Sequence, residues 1–412
     1  MIQYKSFTLD NGLKVIVHED QSFPNVILDI IYNVGSRDED PEKTGFAHLF
    51  EHLMFGGSKH ISEFDTPLQR VGGSCNAFTS PDVTNYYINL PAQNIETAFW
   101  LESDRMKSLS FDPKVLEVQR KVVIEEFKQR YLNQPYGDVW MKLRELAYKV
   151  HPYRWPTIGK EIAHIEQAVM DDVKEFFFKY YRPCNAVMIV AGNTTLEEVK
   201  RLSEKWFGDI ESGEKYTRNL PKEPVQTEAR LLKVEENVPV DALHKVYHMC
   251  DKLHPDFYAT DILSEILGRG KSSKLYQKLV KEDKIFSSFS SYISGSFDNG
   301  LLTFSGKMQE GISLEEGNAA LENALAAVAQ EGVIDTELQK IKNQAEFSMA
   351  YGKQELMPRA MGLAFASVLG DTELVNKEEE LIQKVSVDQV NRLAKELLRN
   401  ENSSTLLYAS KN

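Results

Sequence analysis

Two histidines and a glutamate interrupt a short apolar stretch of the sequence, GFAHLFEHLMFGGS, at residues 45–58. The three are His48, Glu51 and His52. Because residues four apart lie on the same face of a helix, His48 and His52 can direct both imidazole rings toward one point. Glu51 borders that face, since it lies three residues after His48 and next to His52. The spacing therefore predicts a metal site with a carboxylate beside it.

Zinc chemistry explains why these residue types belong together. A catalytic zinc ion is held by three protein ligands and keeps its fourth position for water. Two helical histidines and one carboxylate from elsewhere complete that set, and Glu51 is then available to take a proton from the water. The alternative is a helix with two partly buried, hydrogen-bonded histidines. The apolar surroundings and the glycine pair at residues 56–57, which ends the helix, favour the metal site.

Alternating strands and helices must position this helix, which we expect to run from Thr44 to Phe55. An Asn-Gly turn at residues 11–12 joins two N-terminal strands. Strands are also predicted at residues 25–36 and 84–91, helices at 113–149 with a break near 133–137, and a helix leading into a strand at 170–192.

A second copy of this pattern follows. The segments that begin at Asp171 and Phe46 recur at Asp388 and Tyr258, with offsets of 217 and 212 residues. Similar offsets indicate a duplicated α/β unit of about 200 residues. In the second copy the titratable trio is replaced by Thr260, Leu263 and Ser264. The second copy keeps the order of strands and helices but not the titratable residues. Because residues needed only for folding would be kept in both copies more often, this supports a chemical role for the trio.

We predict two domains on this basis, as the length of 412 residues also suggests. Residues 1–215 are expected to form a zinc-binding catalytic domain. Residues 216–228, within a stretch rich in glycine, proline and charge, are expected to be a linker. Residues 229–412 are expected to form a C-terminal domain of the same fold without metal ligands.

Composition and charge limit the functions to consider. The chain is 42% apolar and 26% charged, as in folded globular proteins. Its net charge of −13 is spread without a basic tail, which argues against nucleic-acid binding. Three widely separated cysteines exclude a disulfide framework and a cysteine-based zinc site. We find no signal peptide and no apolar run of about 18 residues, so we expect no membrane span and a cytoplasmic protein, periplasmic only if a leader is missing.

The H-x-x-E-H pattern at residues 48–52 is the inverted zinc signature of the inverzincins. The sequence around it resembles the pitrilysin/insulinase family, in particular its short bacterial two-domain members and the subunits of the mitochondrial processing peptidase. The resemblance runs through the chain and includes FTLDNGLKVIVHED, GGSCNAFTSPDVTNYY, QRKVVIEEF and HPYRWPTIG. We interpret the last of these as a structural corner rather than a catalytic loop.

This resemblance implies a fold, an activity and a cofactor. The implied fold is α+β, with two homologous α/β domains, each a mostly antiparallel sheet with packed helices. The implied activity is zinc-dependent endopeptidase cleavage of extended, unstructured peptides inside a chamber formed by dimerisation. One Zn²⁺ per chain is implied, with Glu51 as the catalytic residue. The alternatives are a scaffold subunit of a processing-peptidase-like complex and a module that binds zinc without hydrolysis.

The family's third zinc ligand is a glutamate on a later helix, and Glu125 and Glu126 compete for that position. Alignment of RKVVIEE with the family pattern places the ligand at Glu126. Val118 and Val122 precede Glu126 at intervals of four, so Glu126 is expected to continue an apolar stripe, whereas Glu125 is expected to pair with nearby lysines. The family's acidic residue two turns earlier is replaced by Gln119. We expect that change to weaken support of the ligands without abolishing zinc binding.

Substrate contacts are implied at Asn76, Ala77 and Phe78, which stand at the family's edge-strand motif. An exposed sheet edge can pair its backbone with an extended peptide and so bind it with little sequence demand. The alternative is an ordinary hairpin within the sheet. The alternation of polar and apolar residues in the following strand is expected for a hairpin as well as for a substrate-binding edge.

The second domain lacks a pair of residues that active family members usually carry. These members have an arginine that holds the substrate backbone and, seven residues later, a tyrosine that stabilises the oxyanion. The corresponding positions here are Val280 and Ser287. Arg269 and Tyr276 have the same spacing but lie eleven residues too early. We therefore predict a heterodimer with a paralogous subunit that carries the Arg/Tyr pair, with a homodimer as the alternative.

Overall fold

The computed structural model describes residues 1–295 and 297–411 and contains two β-sheets with helices packed on them. The strands are β1 Lys5–Thr8, β2 Lys14–Glu19, β3 Asn25–Tyr32, β4 Ser74–Thr79, β5 Thr84–Pro91, β6 Ala186–Gly192, β7 Arg230–Glu236, β8 Ala242–His248, β9 Phe286–Ile293, β10 Leu301–Met308 and β11 Ser403–Ser410. The helices are α1 Phe46–Leu53, α2 Asp65–Arg70, α3 Ile95–Lys107, α4 Pro113–Phe127, α5 Val139–Ala147, α6 Ile162–Glu166, α7 Met170–Tyr180, α8 Leu196–Phe207, α9 Phe257–Gly268, α10 Leu314–Glu331, α11 Asp335–Gly352, α12 Leu356–Val368, α13 Leu374–Lys384 and α14 Val387–Leu397. Within the described ranges, no helix combines the length and the apolar character that crossing a membrane requires.

The first compact unit consists of Met1–Gln129, Trp155–Pro221 and Ala350–Lys377. Its six-stranded sheet has the order β1-β2-β6-β3-β5-β4. The strands β2 and β6 run parallel, and the other neighbouring pairs are antiparallel. The buried strand β3 lies inside the sheet, and β4 forms one of its edges. This unit contains α1 and α4, the two helices that carry the candidate metal ligands.

The second compact unit consists of Arg130–Arg154, Lys222–Met349 and the chain from Glu378 onward. Its sheet has the order β7-β11-β8-β10-β9, with β7 and β11 parallel and the other pairs antiparallel. The first sheet has the same arrangement once β1 is left out. In addition, α9 follows β8 as α1 follows β3, and α14 leads into β11 as α7 leads into β6. The predicted α+β fold with a repeated, mostly antiparallel sheet is confirmed.

The elements predicted around the site are found with small changes at their ends. The helix expected from Thr44 to Phe55 is α1, which begins later because Gly45 has a φ of +89° and stands outside the helix. The long helical region breaks as expected between α4 and α5. Residues 211–227 form no regular structure, as the composition of the linker region indicates.

Each compact unit is built from three separate segments of the chain, whereas the prediction divided the chain in sequence order into 1–215, 216–228 and 229–412. The helix α12 belongs to the first unit because it packs against β3 and β6, where Leu356, Leu363 and Ala364 are buried. The helix α5 belongs to the second unit because Val139 and Leu143 enter a core cluster with residues of β8, β10 and β11. A division in sequence order assigns α12 and α5 to the wrong units, since the place of each depends on tertiary packing of an otherwise ordinary amphipathic helix.

Candidate active site

The helix α1 presents one face to the interior of the first unit and leaves its polar residues on the other. Its buried residues are Phe46, Ala47, Leu49, Phe50 and Leu53. The helix contacts α4, α7 and β4. With the apolar face fixed in this way, the helical period leaves His48 and His52 together on the side of the helix that meets α4. Their side chains are 12% and 24% exposed, so water reaches the pair.

The predicted ligands meet at one point. The Oε2 atom of Glu126 lies 3.7 Å from His48 Nε2 and 3.5 Å from His52 Nε2. One ligand atom from each of the three residues lies within 4.8 Å of the others. Zinc–nitrogen and zinc–oxygen bonds of about 2.1 Å in a tetrahedron place neighbouring ligand atoms about 3.4 Å apart. The two distances fit that value, so the residues present suit a zinc ion with an open fourth position.

The choice between the two adjacent glutamates is decided by their surroundings. Glu126 is 19% exposed and faces the histidines, whereas Glu125 is 63% exposed and bonds Lys128 at 2.7 Å. The prediction that Glu126 rather than Glu125 meets the histidines agrees with this geometry, and so does the expected pairing of Glu125 with a lysine.

The sequence argument from an apolar stripe that ends at Glu126 was wrong. Val118 and Val122, which were to form that stripe, are 55% and 43% exposed. The helix α4 instead buries Leu116, Val123 and Phe127, which share one face because they lie seven and four residues apart. Glu126 stands at the border of that buried face, next to Phe127. The interval of four therefore does not mark the core side of the helix, and the choice of Glu126 rests on the family resemblance and on the distances to the histidines.

Glu51 lies beside the cluster and is held by a residue that the sequence argument missed. The hydroxyl of Thr79, the last residue of β4, donates to Glu51 Oε2 at 2.7 Å. Burial raises the pKa of Glu51, while the Thr79 hydrogen bond and the neighbouring His52 lower it and Glu126 raises it. Thr79 directly follows the CNAF segment. A prediction that this strand packs against α1 would have placed Thr79 near Glu51.

The predicted substrate residues lie on the edge strand β4. Asn76 pairs in register with Tyr87 of β5, and Phe78 pairs with Asn85. The ring of Phe78 stacks on Phe365 of α12 at a centroid distance of 6.1 Å. Since β4 is the last strand of its sheet, the interpretation as an edge is supported by the topology. Binding of peptide by Asn76, Ala77 and Phe78 stays a prediction.

The remaining predicted positions lie at recognisable places. Gln119 is half-buried on α4, seven residues before the candidate ligand Glu126. In the second unit, Val280 packs against the apolar core, and Ser287 is an exposed residue of β9 that donates to the carbonyl of Lys307. Arg269 is 62% exposed and forms an ion pair with Glu265.

Comparison with known proteins agrees with this site. Residues 14–161 match the family described as insulinase (peptidase family M16), and residues 168–345 match the family described as peptidase M16 inactive domain. The zinc protease PqqE of Helicobacter pylori is 30% identical over 98% of this chain and 92% of its own length. YmxG of Bacillus subtilis, an uncharacterized zinc protease, is 28% identical over 99% of both chains. A crystal structure of a protease from Helicobacter pylori covers 99% of this chain and all of its own, with 29% identity and a TM-score of 0.93.

The chain therefore belongs to the insulinase family of peptidases, family M16. The identity with a full-length relative and the two consecutive family matches cover the site and most of both sheets. The match of residues 168–345 to an inactive domain agrees with the loss of the titratable trio in the second copy. The resemblance inferred from the sequence motifs is confirmed.

Proposed function

We infer that this chain is a zinc-dependent endopeptidase that cleaves extended, unstructured peptides. The observation that carries this proposal is the convergence of His48, His52 and Glu126 at zinc-ligand distances, with the carboxylate of Glu51 beside them. Inhibition by a zinc chelator and recovery on addition of zinc, followed with a fluorogenic peptide, is the experiment that tests it. Activity that persists in a zinc-free preparation would contradict the proposal.

The side chains have separate duties in this reaction. His48, His52 and Glu126 hold one zinc ion, which when bound polarises water and the scissile carbonyl. Glu51 accepts a proton from the attacking water and delivers it to the leaving amine. The hydroxyl of Thr79 donates to Glu51 and so orients its carboxylate. The edge strand β4 pairs with the backbone of the substrate.

Binding through an edge strand requires a substrate segment in an extended conformation. We therefore predict that unfolded chains are cleaved and stably folded domains are not. A small domain and a destabilised, unfolded variant of the same domain should differ sharply, with rapid cleavage of the unfolded form only. Product formation is measured by mass spectrometry at equal concentrations of both forms. A protease of broad specificity provides the control that the same bonds are chemically cleavable. Equal rates for the two forms would contradict both the edge-strand and the dimeric-chamber hypotheses.

Two positions of the second unit favour a partner subunit. Val280 and Ser287 cannot supply the arginine and tyrosine that hold substrate and oxyanion in active relatives. The loss of one oxyanion donor typically costs about 10²–10³ in rate. We therefore propose a heterodimer with a paralogue of similar length that carries the pair and lacks H-x-x-E-H. The alternative function, a zinc-binding or scaffold subunit without hydrolysis, is favoured only by these positions and Gln119.

Mixing the purified chain with such a paralogue should raise peptidase activity at least tenfold over the chain alone, because the partner restores an oxyanion donor. Peptide hydrolysis is measured across a titration of the two chains. The matched control is the paralogue with its tyrosine replaced by phenylalanine, which should associate without restoring the rate. Full activity of this chain alone, destroyed by Tyr276→Phe, would show that Arg269 and Tyr276 do the work.

A further inference from the structure

The beginning of the metal-binding helix has no capping side chain of its own. The first amide groups of a helix have no partner within it and are commonly satisfied by a serine, threonine, aspartate or asparagine at the N-cap. The N-cap of α1 is Gly45, which has no side chain to offer. Its carbonyl accepts the first helical hydrogen bond from the amide of Leu49 at 2.9 Å. The acceptors for the free amides of α1 must therefore come from elsewhere.

A carboxylate six residues earlier supplies these acceptors. Glu39 Oε2 accepts from the amide of Gly45 at 3.0 Å, and Glu39 Oε1 accepts from the amide of Ala47 at 2.8 Å. Ala47 directly precedes the ligand His48. Glu39 thus caps the first turn of α1 with both of its oxygens.

The indole of Trp155 fixes this carboxylate in turn. Trp155 Nε1 donates to Glu39 Oε2 at 3.1 Å and to the carbonyl of Ser36 at 2.9 Å. Glu39 and Trp155 are only 7% and 3% exposed, so water does not compete for these bonds. Burial raises the pKa of Glu39 to about 8, whereas the hydrogen bonds from Ala47, Gly45 and Trp155 favour the charged form. All three partners are donors, so each needs an acceptor oxygen at this position.

We propose that Glu39, held by Trp155, is a positioning residue of the metal centre. The helix α1 has eight residues and carries His48 and His52 one turn apart, so its rotation and tilt decide where both imidazoles point. Two hydrogen bonds to the first turn fix that rotation relative to the rest of the unit. This inference rests on the proposed zinc binding. It also gives the HPYRWPTIG segment, which contains Trp155, a specific task.

Glu39→Gln tests the proposal with almost no change of volume. The amide nitrogen of glutamine cannot accept, so it faces either the amide of Ala47 or both the amide of Gly45 and the indole of Trp155 without a hydrogen bond. We expect the variant to lose about 10–100-fold in zinc affinity, the loss typical when a residue that orients metal ligands is changed. Zinc affinity is measured by competition with a chromophoric chelator, and the ligand geometry by the absorption spectrum of the Co²⁺-substituted protein.

Glu223→Gln is the matched control. The carboxylate of Glu223, in the second unit, accepts from the amides of Lys149, Val150 and His151 at 2.7, 2.9 and 3.0 Å, and none of these three bonds involves α1. A purely structural role of Glu39 predicts that both variants lose thermal stability and keep the affinity and Co²⁺ spectrum of the wild type. A positioning role predicts that only Glu39→Gln changes them.

Trp155→Phe decides the question if Glu39→Gln does not fold, because phenylalanine keeps an aromatic ring and removes the donor. It should lower zinc affinity in the same direction by a smaller factor. A folded Glu39→Gln or Trp155→Phe variant with wild-type zinc affinity and an unchanged Co²⁺ spectrum would overturn the proposal. If the wild type itself binds no zinc, the proposed function fails. If the wild type binds zinc and the variants bind it with the same affinity, the positioning role fails and the proposed function stands.

Discussion

Glu51→Gln is expected to stop peptide hydrolysis while zinc content stays near one ion per chain. The substitution removes the group that accepts the proton of the attacking water, and it leaves His48, His52 and Glu126 in place. General acid–base catalysis contributes about 10²–10⁴ in rate, so we expect a loss of about 10³-fold or more. The measurement pairs the hydrolysis rate of a fluorogenic peptide with metal analysis of the same sample.

Thr79→Val provides the companion variant for this prediction. Valine has nearly the same shape as threonine but cannot donate to Glu51, so the carboxylate stays while its orientation is freed. We expect a smaller loss of rate than for Glu51→Gln, with zinc content unchanged. A Glu51→Gln protein that hydrolyses peptide at the wild-type rate would assign the proton transfer to another group. Loss of zinc in that variant would instead give Glu51 a place among the ligands.

The helix α1, which carries the two histidines, was predictable because its information is local. The spacing of four positions from His48 to His52 corresponds to about one turn, and the apolar neighbours determine which side is buried. Glu126 is 74 residues beyond His52, and no local pattern connects them. The family resemblance pointed to Glu126, which faces the two histidines in the structure. The argument from Val118 and Val122 failed, since an apolar residue on a helix is not necessarily a buried one.

The contacts that hold the site together were the least predictable. Thr79 meets Glu51 only because the edge strand β4 lies against α1. Glu39 caps α1 from outside the usual capping position, and the glycine at the N-cap gives no signal of it. The helix α12, predicted to belong to the C-terminal domain, packs on the first sheet. Each of these depends on contacts between distant segments, which local propensity does not encode.

Removal of any one ligand should have a larger effect on zinc than removal of a positioning residue. His48→Ala, His52→Ala and Glu126→Gln each leave two protein ligands, one fewer than a catalytic zinc site normally has. Changing a residue that only orients the ligands typically lowers metal affinity about 10–100-fold. We expect each ligand variant to lose more zinc affinity than that, and to lose hydrolysis together with the metal. Metal analysis after dialysis against a weak chelator measures the first effect. Circular dichroism of the zinc-free proteins shows whether the fold is kept.

Glu125→Gln is the control that makes the ligand assignment decisive. Glu125 is adjacent to Glu126 on α4, yet it is exposed and bonds Lys128 rather than the histidines. Because a surface ion pair contributes about 0–1 kcal/mol, its loss should leave stability, zinc content and hydrolysis near the wild-type values. If Glu125→Gln loses zinc and Glu126→Gln keeps it, the third ligand is Glu125. In that case α4 must rotate in the zinc-bound protein away from the arrangement in which Glu126 Oε2 lies 3.5 Å from His52 Nε2.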